Sequence, residues 1–118
     1  MSKGKKVTRP SNRDPNNSGG YTVVFATLSA KRGWDNLRAT IPGPLTQTYD
    51  FLSREPLTTN LTNYALRGAL GTVSRGGESH QRWQHKPTMH GGQRIWFYVE
   101  GTTVHIEQVH THHPNNTK

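Results

Sequence analysis

All seven histidines of this sequence fall in its C-terminal half, where four arginines stand among or just before them, and these residue types and spacings suit the handling of phosphate. Arg94 opens the run Arg94-Ile95-Trp96-Phe97-Tyr98-Val99, in which strand alternation sets Arg94, Trp96 and Tyr98 on the face opposite Ile95, Phe97 and Val99. A guanidinium there is a planar, permanently charged donor matched to phosphate oxygens. Arg67 and Arg82 are further phosphate-binding candidates, with Arg75 and Lys86 behind them. For each the alternative is a solvated or ion-paired surface cation, although only seven acidic residues are available as partners. Histidine, whose ordinary pKa lies nearest neutrality, supplies proton transfer. His110, His112 and His113 close the last apolar stretch before Pro114, and alternation sends His110 and His112 to one face and His113 to the other. His85 and His90 can reach the same place from the preceding connection, while His80 and His105 read as surface or cross-strand residues. Trp96 and Tyr98 beside Arg94 would stack a splayed base, as single-stranded RNA recognition requires, or else pack in the core together with Trp83. A His-x-His pair on one strand face also suits a metal, but no Cys and few carboxylates stand near it in the sequence, so neither a metal nor another cofactor is expected.

The elements that must position these residues follow from periodicity and punctuation. Residues 1–20, rich in Lys, Arg, Pro, Asn, Ser and Gly, have Val7 as the one sizeable apolar residue after Met1 and read as a disordered basic arm. Residues 21–28 are a strand. Ser29 then caps a helix carrying Trp34, Leu37 and Ile41 on one side, and Pro42-Gly43-Pro44 leads into a second helix with Leu45, Tyr49 and Leu52, closed by Pro56. Residues 57–63 read as a loop and 64–70 as the next strand. Gly71, Gly76 and Gly77 mark a mobile basic loop around Arg75, and residues 79–86 a polar strand around Trp83. The clearest element is a hairpin from Gln93 to His112 that turns at Glu100-Gly101-Thr102. The expected order is β-α-α-β-β-β, an α+β fold in which a helical hairpin packs on a twisted antiparallel sheet.

Composition bounds the function. In 118 residues with 30% hydrophobic content there is material for one modest core, so a single domain over residues 21–118 is expected. A formal charge of +8 favours polyanionic partners. The lack of Cys excludes thiolate metal sites, disulfides and cysteine nucleophiles. No apolar run of signal-sequence or membrane-span length is present, and a cytoplasmic location is the expectation.

Several motifs in this order resemble the RelE/ParE superfamily of bacterial toxins, small basic proteins of toxin-antitoxin pairs. Leu66-Arg67-Gly68 is similar to the family's Leu-(Lys/Arg)-Gly motif at the start of its second strand. Arg94-Ile95-Trp96-Phe97-Tyr98-Val99 is similar to its Tyr-Arg-hydrophobic-hydrophobic-Tyr strand, with Gln93 where the Tyr usually stands. The turn at Glu100-Gly101 and an apolar strand running into Val109-His110-Thr111-His112-His113-Pro114 complete the likeness, which spans residues 21–118. The RelE branch implies an endoribonuclease that cuts mRNA on the ribosome without a metal and is held inactive by a cognate antitoxin protein. That chemistry needs a base for the RNA 2′-hydroxyl, cations for the phosphorane and an acid for the leaving oxygen. On the resemblance, Arg94, His112, His113, Arg67 and Arg82 would serve catalysis, and Arg75, Lys86, Trp96, Tyr98, His85 and His90 would bind RNA. The alternatives are a ParE-like toxin, which inhibits DNA gyrase by binding, and a noncatalytic nucleic-acid-binding module.

Overall fold

The computed structural model describes residues 5–10 and 20–112. They form an α+β fold in which two helices lie on one face of a mostly antiparallel six-stranded sheet. The strands are β1 (Lys5–Lys6), β2 (Thr22–Phe25), β3 (Asn63–Ala65), β4 (Thr72–Arg75), β5 (Glu78–Gln81), β6 (Trp83–His85), β7 (Arg94–Glu100) and β8 (Thr103–His110), with helices α1 (Leu28–Thr40) and α2 (Pro42–Arg54) following β2. The sheet runs in the order β1-β2-β8-β7-β6-β3, and β4 pairs with β5 in a separate hairpin.

The helical stripes fall where periodicity sets them: Trp34, Leu37, Leu45 and Leu52 are buried together with Val23, Ile95, Phe97, Val104 and Ile106. Full burial of each large apolar side chain stabilises the fold by about 1.5 to 3 kcal/mol. α1 starts earlier than expected, because Thr27 rather than Ser29 is its cap: the Thr27 hydroxyl accepts from the Ala30 amide at 2.9 Å and donates to the Glu107 carbonyl at 2.9 Å. One residue therefore caps the helix and ties it to β8.

Four expectations are corrected. First, the basic arm is docked over residues 5–10. Lys5 and Lys6 pair with Phe25 and Val24, Val7 is 1% exposed within the core, and the Arg9 guanidinium grips Asp50 through two bonds of 2.8 and 3.0 Å. Val7 and the Arg9–Asp50 pair anchor the segment, and the edge of β2 supplies backbone partners that composition cannot reveal. Second, the sheet is not wholly antiparallel: β2 runs parallel to β8. The two helices return the chain to the end of the sheet where it began, which makes this pairing possible. Third, the expected strand 79–86 breaks at Arg82. Its first part pairs with β4, its second with β3 and β7. Fourth, the glycine-rich basic loop is a tight hairpin: Gly76 and Gly77 have φ of 58° and 83° between the paired residues Arg75 and Glu78. A two-residue loop positive at both central residues matches the right-handed twist of its flanking strands, and glycine adopts it without steric penalty.

These corrections decide the fate of the sheet's second face. The β4-β5 hairpin folds against it, His80 stacking on Tyr98 at 4.5 Å and Arg82 lying over the Trp96 ring at 4.9 Å. The face expected to present Trp96 and Tyr98 to RNA is a second, smaller core.

Candidate active site

Each candidate residue can be followed to its partners. Trp96 is 3% exposed and donates its indole N–H to the Gln84 side-chain oxygen at 2.9 Å, while the Gln84 amide donates to the Tyr64 hydroxyl at 2.8 Å. Tyr98 is 5% exposed and lies between the His80 and His105 rings, at 4.5 and 4.6 Å. Neither aromatic has a face open for a nucleobase, so their expected stacking role is corrected to packing.

Arg82 and Arg75 are held by a residue the sequence reading passed over. Glu107 sits where β8 bulges: Trp96 pairs with Gln108 and Phe97 with Ile106, leaving Glu107 as the extra residue. Its carboxylate, 6% exposed, accepts from Arg82 Nε at 2.9 Å and Nη2 at 3.0 Å, and from Arg75 Nη2 at 3.5 Å. Arg82 also donates to the Leu70 carbonyl at 3.2 Å. A bidentate pair of this kind spends the guanidinium fork that phosphate would need, so Arg82 is removed from the catalytic set. The bulge was legible: Val104, Ile106 and Val109 are core-facing or core-packed, and the step from two to three residues marks one residue too many.

His85 belongs to the helix-side core. Its ring stacks on Phe51 at 5.3 Å, Nδ1 lies 3.1 Å from Asn63 Oδ1 and Nε2 3.1 Å from Thr48 Oγ1. The Asn63 amide already donates to the Pro56 and Thr58 carbonyls, so its oxygen faces the ring and Nδ1 carries the proton. Burial pushes the imidazole down to about 4. This histidine is a neutral structural group, and its RNA-binding assignment is withdrawn. Arg67 is exposed just beyond β3, and Lys86 lies 5.5 Å from the Tyr64 ring centroid. His90 and His112 are exposed; His113 lies outside the described residues.

What the fold does bring together is Arg94 and His110, which stand directly opposite each other across β7 and β8. Arg94 is 7% exposed, and its Nη1 donates to the carbonyls of Gly91 and Gln93, both at 2.8 Å, shaping the loop that enters β7. That loop is tightened further by Thr88, whose hydroxyl donates to Gln93 Oε1 at 3.2 Å and accepts from the Gly91 amide at 3.0 Å. His110 meets the edge of Trp96 at 4.6 Å. Arg94 Nε and His110 Nε2 are both buried without a hydrogen-bond partner. Burial first, and the Arg82 charge second, hold the His110 imidazole below its ordinary range against the opposing pull of Glu107, which leaves it neutral at physiological pH. By register, Lys86 and His112 belong to this end of the sheet, whereas Arg67, Glu100 and His105 belong to the other. Seven residues of strand separate the two ends, a span of about 20 Å.

Comparison with family models, curated proteins and solved structures returns no match for this chain. The case for a function therefore rests on the motifs and on this geometry.

Proposed function

We propose that the chain is a RelE-like toxin, an endoribonuclease acting on mRNA with the ribosome and restrained by an antitoxin that covers its basic surface. The observation that carries this reading is the pair of unsatisfied nitrogens on Arg94 and His110. A buried polar atom without a partner forgoes about 1 to 3 kcal/mol, and a ligand is one way to recover it. A permanently charged donor beside a neutral imidazole is the combination that phosphodiester cleavage asks for. In this reading His110 Nε2 takes the proton of the RNA 2′-hydroxyl and that oxygen attacks the adjacent phosphorus. The 5′-oxygen leaves with a proton from a second group, for which exposed His112 is the nearest candidate along the chain, and a 2′,3′-cyclic phosphate remains. Arg94 Nε would donate to a nonbridging oxygen as charge develops. The order β-α-α followed by antiparallel strands, with the Arg94 motif on a central strand, supports the RelE-like assignment.

Both nitrogens are covered in the free protein, so substrate must open the site; the rival reading is a chain that acts by binding alone. Cleavage of programmed ribosomes by the purified chain separates the two. Arg94→Ala should slow cleavage by roughly a hundredfold to a thousandfold. His110→Gln should slow it by about a hundredfold to ten-thousandfold, with circular dichroism unchanged in both variants. A wild-type chain that leaves mRNA intact, with or without ribosomes, and instead blocks supercoiling by gyrase would replace this reading with the ParE-like one.

A further inference from the structure

We propose that Glu78, His80 and Glu100 form a binding site for a divalent transition metal of the zinc class, which clips the β4-β5 hairpin to the far end of the sheet. The residues come from two separate pieces of the chain. Glu78 and His80 face the sheet's second side from β5, and Glu100 ends β7. One ligand atom from each lies within 4.8 Å of the others, and His80 Nε2 is 3.7 Å from Glu78 Oε1. A tetrahedral ion with ligands at about 2.1 Å needs them roughly 3.4 Å apart. The required contraction is at most about 1.4 Å, within reach of two glutamates whose side chains are 67% and 55% exposed.

Two further observations point to a cation. The first is where the acidic groups go. Among the described residues Asp35, Asp50 and Glu107 each meet Lys or Arg and Glu55 stands in no ion pair, whereas Glu78 and Glu100 meet histidine alone, although the chain carries 15 Lys and Arg. Two carboxylates drawn together without a permanent cation repel one another, and a divalent ion reverses that sign. The second is the support. His80 is held by its stack on Tyr98, and His105, on the other side of Tyr98, places Nε2 3.3 Å from Glu100 Oε1. His105 thus orients a ligand in the way that outer groups of metal sites do. Three protein ligands leave a position for water. Since the site lies at the opposite end of β7 from Arg94, the ion has a structural role and the proposal stands apart from the ribonuclease reading.

The test uses the full-length chain stripped of metal and dialysed against zinc. One equivalent should bind and raise the melting temperature, and NMR should show the His80 ring resonances shifting while those of His85 stay in place. His80→Gln and Glu100→Gln should each weaken zinc binding by roughly tenfold to a hundredfold, whereas His112→Asn with His113→Asn should leave the site's equivalent in place. Zinc affinity unchanged in both His80→Gln and Glu100→Gln, binding lost with the C-terminal histidines, or no binding by the wild-type chain would each overturn the proposal.

Discussion

At the scale of single residues, charge and imidazole chemistry are redistributed by what each side chain meets. Arg82 looks like a phosphate binder until Glu107 is seen to occupy its fork, and His85 looks like an RNA contact until Phe51, Thr48 and Asn63 enclose it. His85 makes a measurable statement about stability. The folded chain holds it neutral down to about 4, whereas the unfolded chain protonates it near 6.5. Between those values the unfolded state binds more protons, so this contribution is present above pH 6.5 and is lost as pH falls towards 4. At about 1.36 kcal/mol per pH unit the loss approaches about 3 kcal/mol. Urea melts at pH 7 and pH 4.5 should show the fall in the wild-type chain and a smaller one in His85→Gln. Equal slopes in the two proteins would assign the acid sensitivity to other groups.

At the scale of elements, close approach and turn geometry decide what periodicity leaves open. α1 is amphipathic on sequence grounds, but the distance at which it packs on β8 depends on Gly33. A Cβ there would stand 2.7 Å from both the Cβ and the carbonyl oxygen of Val109. In an exposed helix Gly→Ala stabilises by up to about 1 kcal/mol. Here the obstacle includes backbone, so α1 or β8 must shift, and overpacking of this kind typically costs about 1 to 3 kcal/mol. Gly33→Ala should therefore lower the urea midpoint without changing the slope of the transition; a midpoint at or above wild type would show that α1 is free to move. The Gly76-Gly77 turn works in the opposite sense from a hinge, since it fixes the hairpin that covers Trp96 and Tyr98.

At the scale of the whole molecule, residues 5–10 close one edge of the sheet and the β4-β5 hairpin closes its second face. Val7, 1% exposed, and the Arg9–Asp50 pair tie the N-terminal segment to the core. Removing residues 1–10 should lower stability by about 2 kcal/mol or more, from the lost valine burial and the exposure of the β2 edge. Thermal melts of the truncated and full chains check this, and coincident curves would show the docked segment to be energetically idle. Among the described residues no helix is long and apolar enough to cross a membrane. The sheet instead separates two chemistries along β7, a guanidinium beside a neutral imidazole at Arg94 and His110, and a carboxylate-imidazole end at Glu100 and His80.

The two helices, the β7-β8 hairpin and the core stripe of Trp34, Leu37, Leu45, Leu52, Ile95, Phe97, Val104 and Ile106 were legible before any fold was known, and the sequence pattern carries them. Each of these depends on spacing within one segment, where burial pressure writes a local period. It also singled out Arg94 and included His110 among the histidines of the last strand. Tertiary structure alone decided which cations stay available, because pairing with Glu107 joins residues 25 and 32 positions apart and leaves no local signature. The same holds for the docking of Val7 beside Val23, the break of one polar strand at Arg82 and the meeting of His80 with Glu100. Each is a contact between segments whose own patterns are too short or too polar to specify a partner, so the fold, by bringing their backbones together, makes the choice.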